Sequence, residues 1–168
     1  MNFATLTTFE ENLLITTGSA REIHEALDTA RGSDFHIGII SDACPLLSGL
    51  MLAENLALGN MYHQNFSLGQ AIKRLSPAIK AAGLDEVLYK GVEDLTRKEI
   101  VQAYFLRCLA GNNSIVLVDN PTRKDLETIQ ELNCIQGLCR RLWVICLDRD
   151  VDRYARFGLR KIDLSESN

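Results

Sequence analysis

Four short apolar segments alternate along the chain with longer segments in which apolar residues recur at helical spacing. The short segments end at Gly, Asn, Asp or Ser and have the length of buried strands: they are residues 12–17, 36–40, 114–118 and 141–147. The longer segments predict helices over residues 19–31, 67–82, 100–110 and 123–135. Strands that alternate with helices in this way predict an α/β fold with a mostly parallel sheet and flanking helices.

Weaker patterns complete this prediction. Residues 2–8 and 159–164 predict edge strands, residues 46–58 predict a short and strongly apolar helix, and a further short helix is expected after Asp150. Pro77 lies inside a helical pattern, so it is expected to kink that helix or divide it in two. We expect one domain over residues 1–168. Its α/β core would be about 1–43 and 112–164, with a helical insertion or subdomain at about 44–111.

Composition excludes several classes of protein. The net charge is −4 and no basic stripe is present, so nucleic acid is not an expected partner. No apolar stretch approaches the length of a membrane-spanning helix, and the first residues do not have the pattern of a signal peptide. The five cysteines are odd in number and form no CxxC pair, which favours reduced thiols over a disulfide framework or a zinc site.

Several polar residues are candidates for binding or structural roles. Ser19, with Glu22 three residues later, is typical of a helix cap. Asp119 follows a buried strand, where open α/β sheets bind ligands, and it is either an acid that caps the turn before Pro121 or a residual metal ligand. The pair Arg140-Arg141 is either a solvated face or a contact for an anion.

From about residue 12 to 163, the order of these features resembles the nucleotide-binding domain of an ABC transporter. The stretch from Pro45 to Asn55 resembles the segment after the family's Q-loop, and Leu95–Glu99 falls where its signature motif belongs. The helix that follows carries the expected Arg107, and Ile115–Thr122 resembles the Walker B strand with the "D-E-P-T" after it. The Leu-Leu-Ser-Gly-Leu stretch is most like the ATPases of lipid-trafficking MCE-type importers.

The chemical positions depart from this family. A P-loop needs G-x-x-x-x-G-K-[ST], but here no lysine follows Gly18 and Ser19, and Glu22 would repel a phosphate. The other departures are Asp42 for the Q-loop glutamine, Arg97 and Lys98 for the signature glycines, Asn120 for the catalytic glutamate, and Leu147 for the switch histidine. The resemblance therefore implies a vestigial nucleotide site, with ATP and Mg²⁺ weakly bound or absent and no catalytic residue. Its residues are Gly18, Ser19, Asp42, Asp119 and Asn120.

The segment between Gly18 and Asp42 is also too short for the family's usual antiparallel sheet, whose aromatic residue stacks on adenine, so a reduced antiparallel subdomain is expected. The resemblance further implies a protein partner. Five residues fall where the family receives the coupling helix of a membrane protein: Leu46, Leu47, Leu50, Met51 and Glu54. The four apolar ones are also explained as part of the core.

The expected function is that of a non-catalytic ABC-ATPase-like pseudoenzyme, a regulatory, structural or adaptor subunit linked to membrane transport. Its expected partner is a membrane permease or a related ATPase subunit, any homodimer would use surfaces other than an ATP site, and its expected location is cytoplasmic, including the inner-membrane face. The alternatives are a residual nucleotide-binding or ATPase subunit that uses Asp119 and Mg²⁺, and an α/β module with an unrelated ligand.

Overall fold

A five-stranded parallel sheet forms the centre of the protein. In the computed structural model, which describes residues 3–33, 35–135 and 140–164, the strand order is β2-β3-β4-β1-β5. The strands are β1 (Leu13–Thr17), β2 (Ile37–Ile40), β3 (Ile115–Asp119), β4 (Arg141–Leu147) and β5 (Arg160–Asp163). Every pairing is parallel, so the carboxyl ends of all five strands lie at one edge of the sheet and their amino ends at the other.

Six α-helices flank the sheet in the described part of the chain. They are α1 (Phe3–Leu6), α2 (Ala20–Arg31), α3 (Leu52–Gln64), α4 (Leu68–Ala82), α5 (Arg97–Ala110) and α6 (Arg123–Cys134), with 3-10 segments at Asp85–Val87, Val92–Asp94 and Asp148–Phe157. Hydroxyl side chains cap the starts of four helices, which are α2, α4, α5 and α6 with the caps Ser19, Ser67, Thr96 and Thr122. Each cap accepts a hydrogen bond from a backbone N–H that the helix itself leaves without a partner.

The two faces of the sheet belong to two separate hydrophobic clusters. Alternate residues of one strand point to opposite faces, so Leu117 and Trp143 pack on the α2 side while Val116 and Val144 pack on the side of α3 to α6. Both faces are therefore covered, as is usual for a parallel sheet. This confirms the predicted α/β fold.

Helices α3, α4 and α5 all lie between β2 and β3 in the chain. The 41–111 segment adds no strand to the sheet, and its one antiparallel bridge joins Met51 to Gly91. Between β1 and β2, the one regular element among the described residues is α2. Among the helices that the structure describes, none combines the length and the apolar character that crossing a membrane requires.

Two local predictions were wrong, although the edge strand over 159–164 is confirmed as β5. Residues 3–6 form a helical turn instead of an edge strand, because this places Leu6 fully in the core beside α2. The helix predicted over 46–58 begins only at Leu52, since the preceding residues form a loop held by Asn55. Of the two outcomes expected for Pro77, a kink or a division, the division does not occur, since α4 continues through Pro77 from Leu68 to Ala82.

Gly38 allows α5 to lie close to the edge strand β2. A Cβ atom at this position would be 2.5 Å from the Cβ and 2.7 Å from the sulfur of Cys108. We expect Gly38→Ala to lower the free energy of unfolding by about 1–3 kcal/mol, because the helix must move to accept the methyl group. Urea denaturation measures this change.

Gly59→Ala is the matched control for that substitution. Gly59 lies within α3 and a Cβ there would meet no atom within 4 Å, so the same change should stabilise the protein by about 0.5–1 kcal/mol. Equal effects of the two substitutions would contradict the close approach of α5 to β2.

Candidate functional site

A small cavity of about 190 Å³ lies at the carboxyl ends of β2 and β3. The starts of α5 and α6 close its other sides, so residues from four elements meet there. Its polar lining consists of Ser41, Asp42, Arg97, Tyr104, Asp119, Asn120, Thr122 and Asp125. The sheet thus brings Asp42, Asp119 and Asn120 together, as expected for residues that follow neighbouring parallel strands.

Asp119 is held in place from the neighbouring strand. The Ser41 hydroxyl donates to Asp119 Oδ2 at 2.8 Å and itself accepts from the N–H of Ala43 at 3.2 Å. Of the two interpretations of Asp119, this contact supports a structural role, since the carboxylate ties the end of β3 to the turn after β2. Across the described residues, no group of three His, Cys, Asp or Glu side chains is placed to hold a metal ion.

Asn120 has an unusual backbone conformation and an engaged side chain. Its φ is 41°, in the left-handed region that asparagine tolerates better than most residues. Its Oδ1 accepts from the Arg153 guanidinium at 3.0 Å and lies 3.3 Å from the Tyr154 hydroxyl, which donates to the carbonyl of Pro121 at 2.8 Å. Burial raises the pKa of Tyr154 to about 12, so this hydroxyl remains a donor. Asn120 therefore links β3 to the segment after β4.

Arg97 and Asp125 join the starts of α5 and α6. The guanidinium donates to both carboxylate oxygens of Asp125, at 2.8 and 3.3 Å, and the Asp125 carboxylate also accepts from the N–H of Thr122. Burial alone would raise the pKa of Asp125, but the hydrogen bonds from Arg97 and Thr122 bring that pKa below its usual value. The pair fills the position where the ABC resemblance places a glycine-rich signature.

The turn after β1 is occupied by the chain's own carboxylate. The N–H of Gly18 donates to Glu22 Oε2 at 2.9 Å, and the N–H of Glu22 donates to the Ser19 hydroxyl at 3.3 Å. The helix cap that the sequence predicted at Ser19 is therefore present. In a capping box the Glu22 carboxylate would accept from the N–H of Ser19, but here it accepts from the N–H of Gly18, one residue earlier. Gly18 and Ser19 do not line the cavity at Asp119, because β4 lies between β1 and β3.

The expected partner-binding residues differ in exposure. Leu46 is only 5% exposed and belongs to the core, whereas Leu47 and Met51 are 49% and 48% exposed. Leu50 is half-buried, and the half-buried Glu54 uses its carboxylate to accept from the N–H of Met51 at 2.8 Å.

The buried Asn55 shapes the loop that carries these residues. Its side chain accepts from the N–H of Leu47 at 2.7 Å and donates to the carbonyls of Leu47, Leu50 and Met51. These bonds hold Leu47 and Met51 at the surface.

Sequence reasoning did not identify Ser41, Arg153 or Tyr154 as parts of this site. Ser41 lies 78 positions from Asp119 in the chain, and Arg153 lies 33 positions from Asn120. The one local signal for Ser41 was its position directly before the candidate residue Asp42. Nothing near Arg153 or Tyr154 in the sequence indicates Asn120 as a neighbour.

The sequence matches no protein-family model and no curated protein, but many solved structures share its fold. The dimeric structure of MJ0796, a bacterial ABC transporter cassette, has a TM-score of 0.66 at 23% identity over 91% of this chain and 80% of that one. The post-hydrolysis state of MJ0796, bound to ADP and Pi, has a TM-score of 0.65 at 20% identity, over 92% of this chain and 82% of that one. CbiO1 from Clostridium perfringens is part of the ABC transporter complex cbiONQ. It has a TM-score of 0.56 at 18% identity, over 80% of this chain and 53% of that one. The chain therefore has the fold of ABC transporter ATPase cassettes.

The ion pair between Arg97 and Asp125 predicts a pH-dependent contribution to stability. Because the pKa of Asp125 is lowered in the folded state, its contribution is complete above the unfolded-state value near 3.9 and is lost as the pH falls through the lowered value. At pH 7, Asp125→Asn should cost about 1 kcal/mol, a discounted figure since Arg97 is 64% exposed. Urea denaturation should show this cost constant from pH 7 to about 4 and shrinking below that, because Asp125 then takes up a proton in the unfolded state first.

Asp152→Asn provides the control, since it removes an exposed carboxylate that has no ion pair within the described part of the chain. It should leave the pH dependence of stability unchanged. A cost of Asp125→Asn that stays constant down to pH 3 would show that the pair contributes nothing as an ion pair.

Proposed function

We propose that this protein is a non-catalytic, ABC-cassette-like subunit that acts by binding other proteins in a membrane transport assembly. The observation that carries this proposal is the contact between the N–H of Gly18 and the Glu22 carboxylate. A P-loop offers such N–H groups to the phosphates of a nucleotide. Here the chain's own anion takes the first of them, and the same carboxylate would repel a phosphate that came close.

The other positions support the same proposal. Transfer of a phosphoryl group depends on several charged and dipolar groups acting together. An amide such as that of Asn120 cannot serve as a general base, and this one is already bonded to Arg153. The guanidinium of Arg97 is similarly committed to Asp125. The residues at this edge of the sheet therefore do not fit a nucleotide bound and hydrolysed in the manner of a P-loop enzyme.

A protein partner is supported by the loop that Asn55 shapes. Leu47 and Met51 are large apolar side chains held at the surface, and nearby Tyr89 is 69% exposed. Exposed apolar side chains grouped in this way are typical of protein interfaces. A membrane permease or a second ATPase subunit would place the protein at the cytoplasmic face of the membrane.

The first test is nucleotide binding. A ligand that binds the native state must raise its stability, so we expect no rise in melting temperature with millimolar ATP and Mg²⁺. The second candidate function, residual nucleotide binding, is favoured by the retained carboxylate of Asp119 in a polar cavity. A concentration-dependent rise with ATP, absent in Asp119→Asn, would establish that function and contradict the first proposal.

The variant Glu22→Ala distinguishes a nucleotide site that Glu22 blocks from the absence of such a site. It frees the N–H of Gly18 and removes the repelling charge. If the remaining groups are too few to hold a triphosphate, this variant should still show no response to ATP. A response gained by Glu22→Ala alone would mean that Glu22 blocks an otherwise competent site.

The second test concerns the partner surface. Affinity purification of the full chain from detergent-solubilised membranes of its source should recover a multi-spanning membrane protein or a second ATPase subunit. The double variant Leu47→Ser, Met51→Ser should recover at least about tenfold less, since each side chain loses the burial of its apolar surface.

The control for this experiment is Tyr62→Ser, which removes an exposed apolar side chain from α3 outside the 47–51 loop. It should leave recovery unchanged. Recovery of neither class of protein, or equal recovery by the double variant, would contradict the proposed surface.

A further inference from the structure

A second polar cavity, of about 300 Å³, lies at the opposite edge of the sheet. Asn112 precedes β3 and Arg140 precedes β4, so the cavity is at the amino ends of these strands. Its polar lining is Asn60, Arg74, Asn112 and Arg140, and its apolar lining is Leu75, Pro77, Ala78, Leu109 and Ala110. It shares no lining residue with the cavity at Asp119, and α5, about 21 Å long, runs from one to the other.

Asn60 is the residue that marks this cavity as a binding site. It is 1% exposed, yet neither its Oδ1 nor its Nδ2 has a hydrogen-bond partner in the described part of the protein. A buried amide without partners is unfavourable, and such groups in native proteins are nearly always satisfied. An ordered water or a bound ligand would satisfy this amide, and a ligand must both accept a hydrogen bond from Nδ2 and donate one to Oδ1.

Two guanidinium groups give the cavity a positive charge. Among the described residues, the Nε of Arg140 is buried without a hydrogen-bond partner, and neither Arg140 nor Arg74 has an ion pair with a carboxylate. Arg74 donates a long hydrogen bond, at 3.4 Å, to the Gln64 side chain, and its guanidinium lies 5.8 Å from the centre of the Phe66 ring. No acidic residue appears among the described residues that line the cavity. Guanidinium groups suit planar, bidentate binding of carboxylate or phosphate.

The backbone around Arg140 is fixed, which places its side chain at the cavity. The Asn133 side chain accepts from the N–H of Arg140 and donates to its carbonyl, both at 2.8 Å. The adjacent Arg141 has a different role, because it donates to the carbonyls of Thr7 and Phe9 at 2.9 Å. Of the pair that the sequence offered as a possible anion contact, Arg140 is the member available to a ligand.

We propose that this cavity binds a small oxyanion that also carries a hydroxyl group, such as hydrogen phosphate or a hydroxycarboxylate. The anionic oxygens bind Arg140, Arg74 and the Asn60 Nδ2, while the hydroxyl donates to the Asn60 Oδ1. The volume is at the lower end of the range for small-molecule sites. The ligand contacts α3, α4, the end of α5 and the residue before β4, so it stabilises the packing of these helices on the sheet.

Hydrogen phosphate and sulfate form a matched pair of probes for this site. At pH 8 both are dianions of nearly the same size, but only hydrogen phosphate carries a hydroxyl. With the full chain at constant ionic strength, phosphate should raise the melting temperature with the logarithm of its concentration. Sulfate should bind at least about tenfold more weakly, because it cannot donate to Asn60. Citrate, tested in parallel, distinguishes hydroxycarboxylate from phosphate as the preferred class.

Two variants test whether the rise in melting temperature with phosphate comes from binding in this cavity. Asn60→Leu keeps the volume of the side chain and removes the unpaired amide, so without ligand its melting temperature should equal or exceed that of the wild type, while its response to phosphate is lost. Arg140→Gln should weaken phosphate binding at least about tenfold. Arg149→Gln, which removes an exposed charge elsewhere, should change nothing.

Several outcomes would overturn the proposal. They are the absence of any response to phosphate or citrate, equal responses to phosphate and sulfate, and an unchanged response in Asn60→Leu or Arg140→Gln. If Asn60→Leu does not fold, Arg140→Gln alone decides, since it alters a partly exposed side chain. Because the two cavities share no residue, a failure here leaves the ATP and partner experiments unaffected.

Discussion

The parallel pairing of β3 with β4 is the constraint on which the rest of the structure depends. Ile115 to Asp119 pair in register with Arg141 to Ile145, and both strands are buried on both faces. A shift of one residue would move every side chain to the wrong face, so the two hydrophobic clusters fix this register. The same register places Asp119 and Asn120 at one edge of the sheet, and Asn112 and Arg140 at the other.

Helix α5 connects those two edges. It begins at Arg97, beside Asp125, and ends at Ala110, beside the cavity that Asn60 lines. Gly38 lets the helix lie against β2, so the position of both cavities depends on this close contact.

The two edges differ in how their polar groups are satisfied. At the carboxyl edge, several polar groups bond to one another: Glu22 to Gly18, Ser41 to Asp119, Arg153 to Asn120 and Arg97 to Asp125. At the amino edge, a buried amide and a buried guanidinium nitrogen lack hydrogen-bond partners among the described residues. Unpaired buried groups are costly, so ligand chemistry is expected at this edge, where the pair Arg140-Arg141 was the one indication in the sequence.

The sequence by itself determined the strands, most helices, and the candidate residues Asp42, Asp119 and Asn120, because periodicity and caps depend on neighbours in the chain. Tertiary structure decided whatever depends on residues far apart in sequence. The loop before Leu52 is set by buried Asn55 and not by the apolar run that predicted a helix, and Leu46 belongs to the core whereas Leu47 does not. Ser41 meets Asp119, and Tyr154 meets Asn120, only when the strands pair. Whether Asn60 finds a hydrogen-bond partner likewise depends on what α4, α5 and Arg140 place around it, which no local pattern contains.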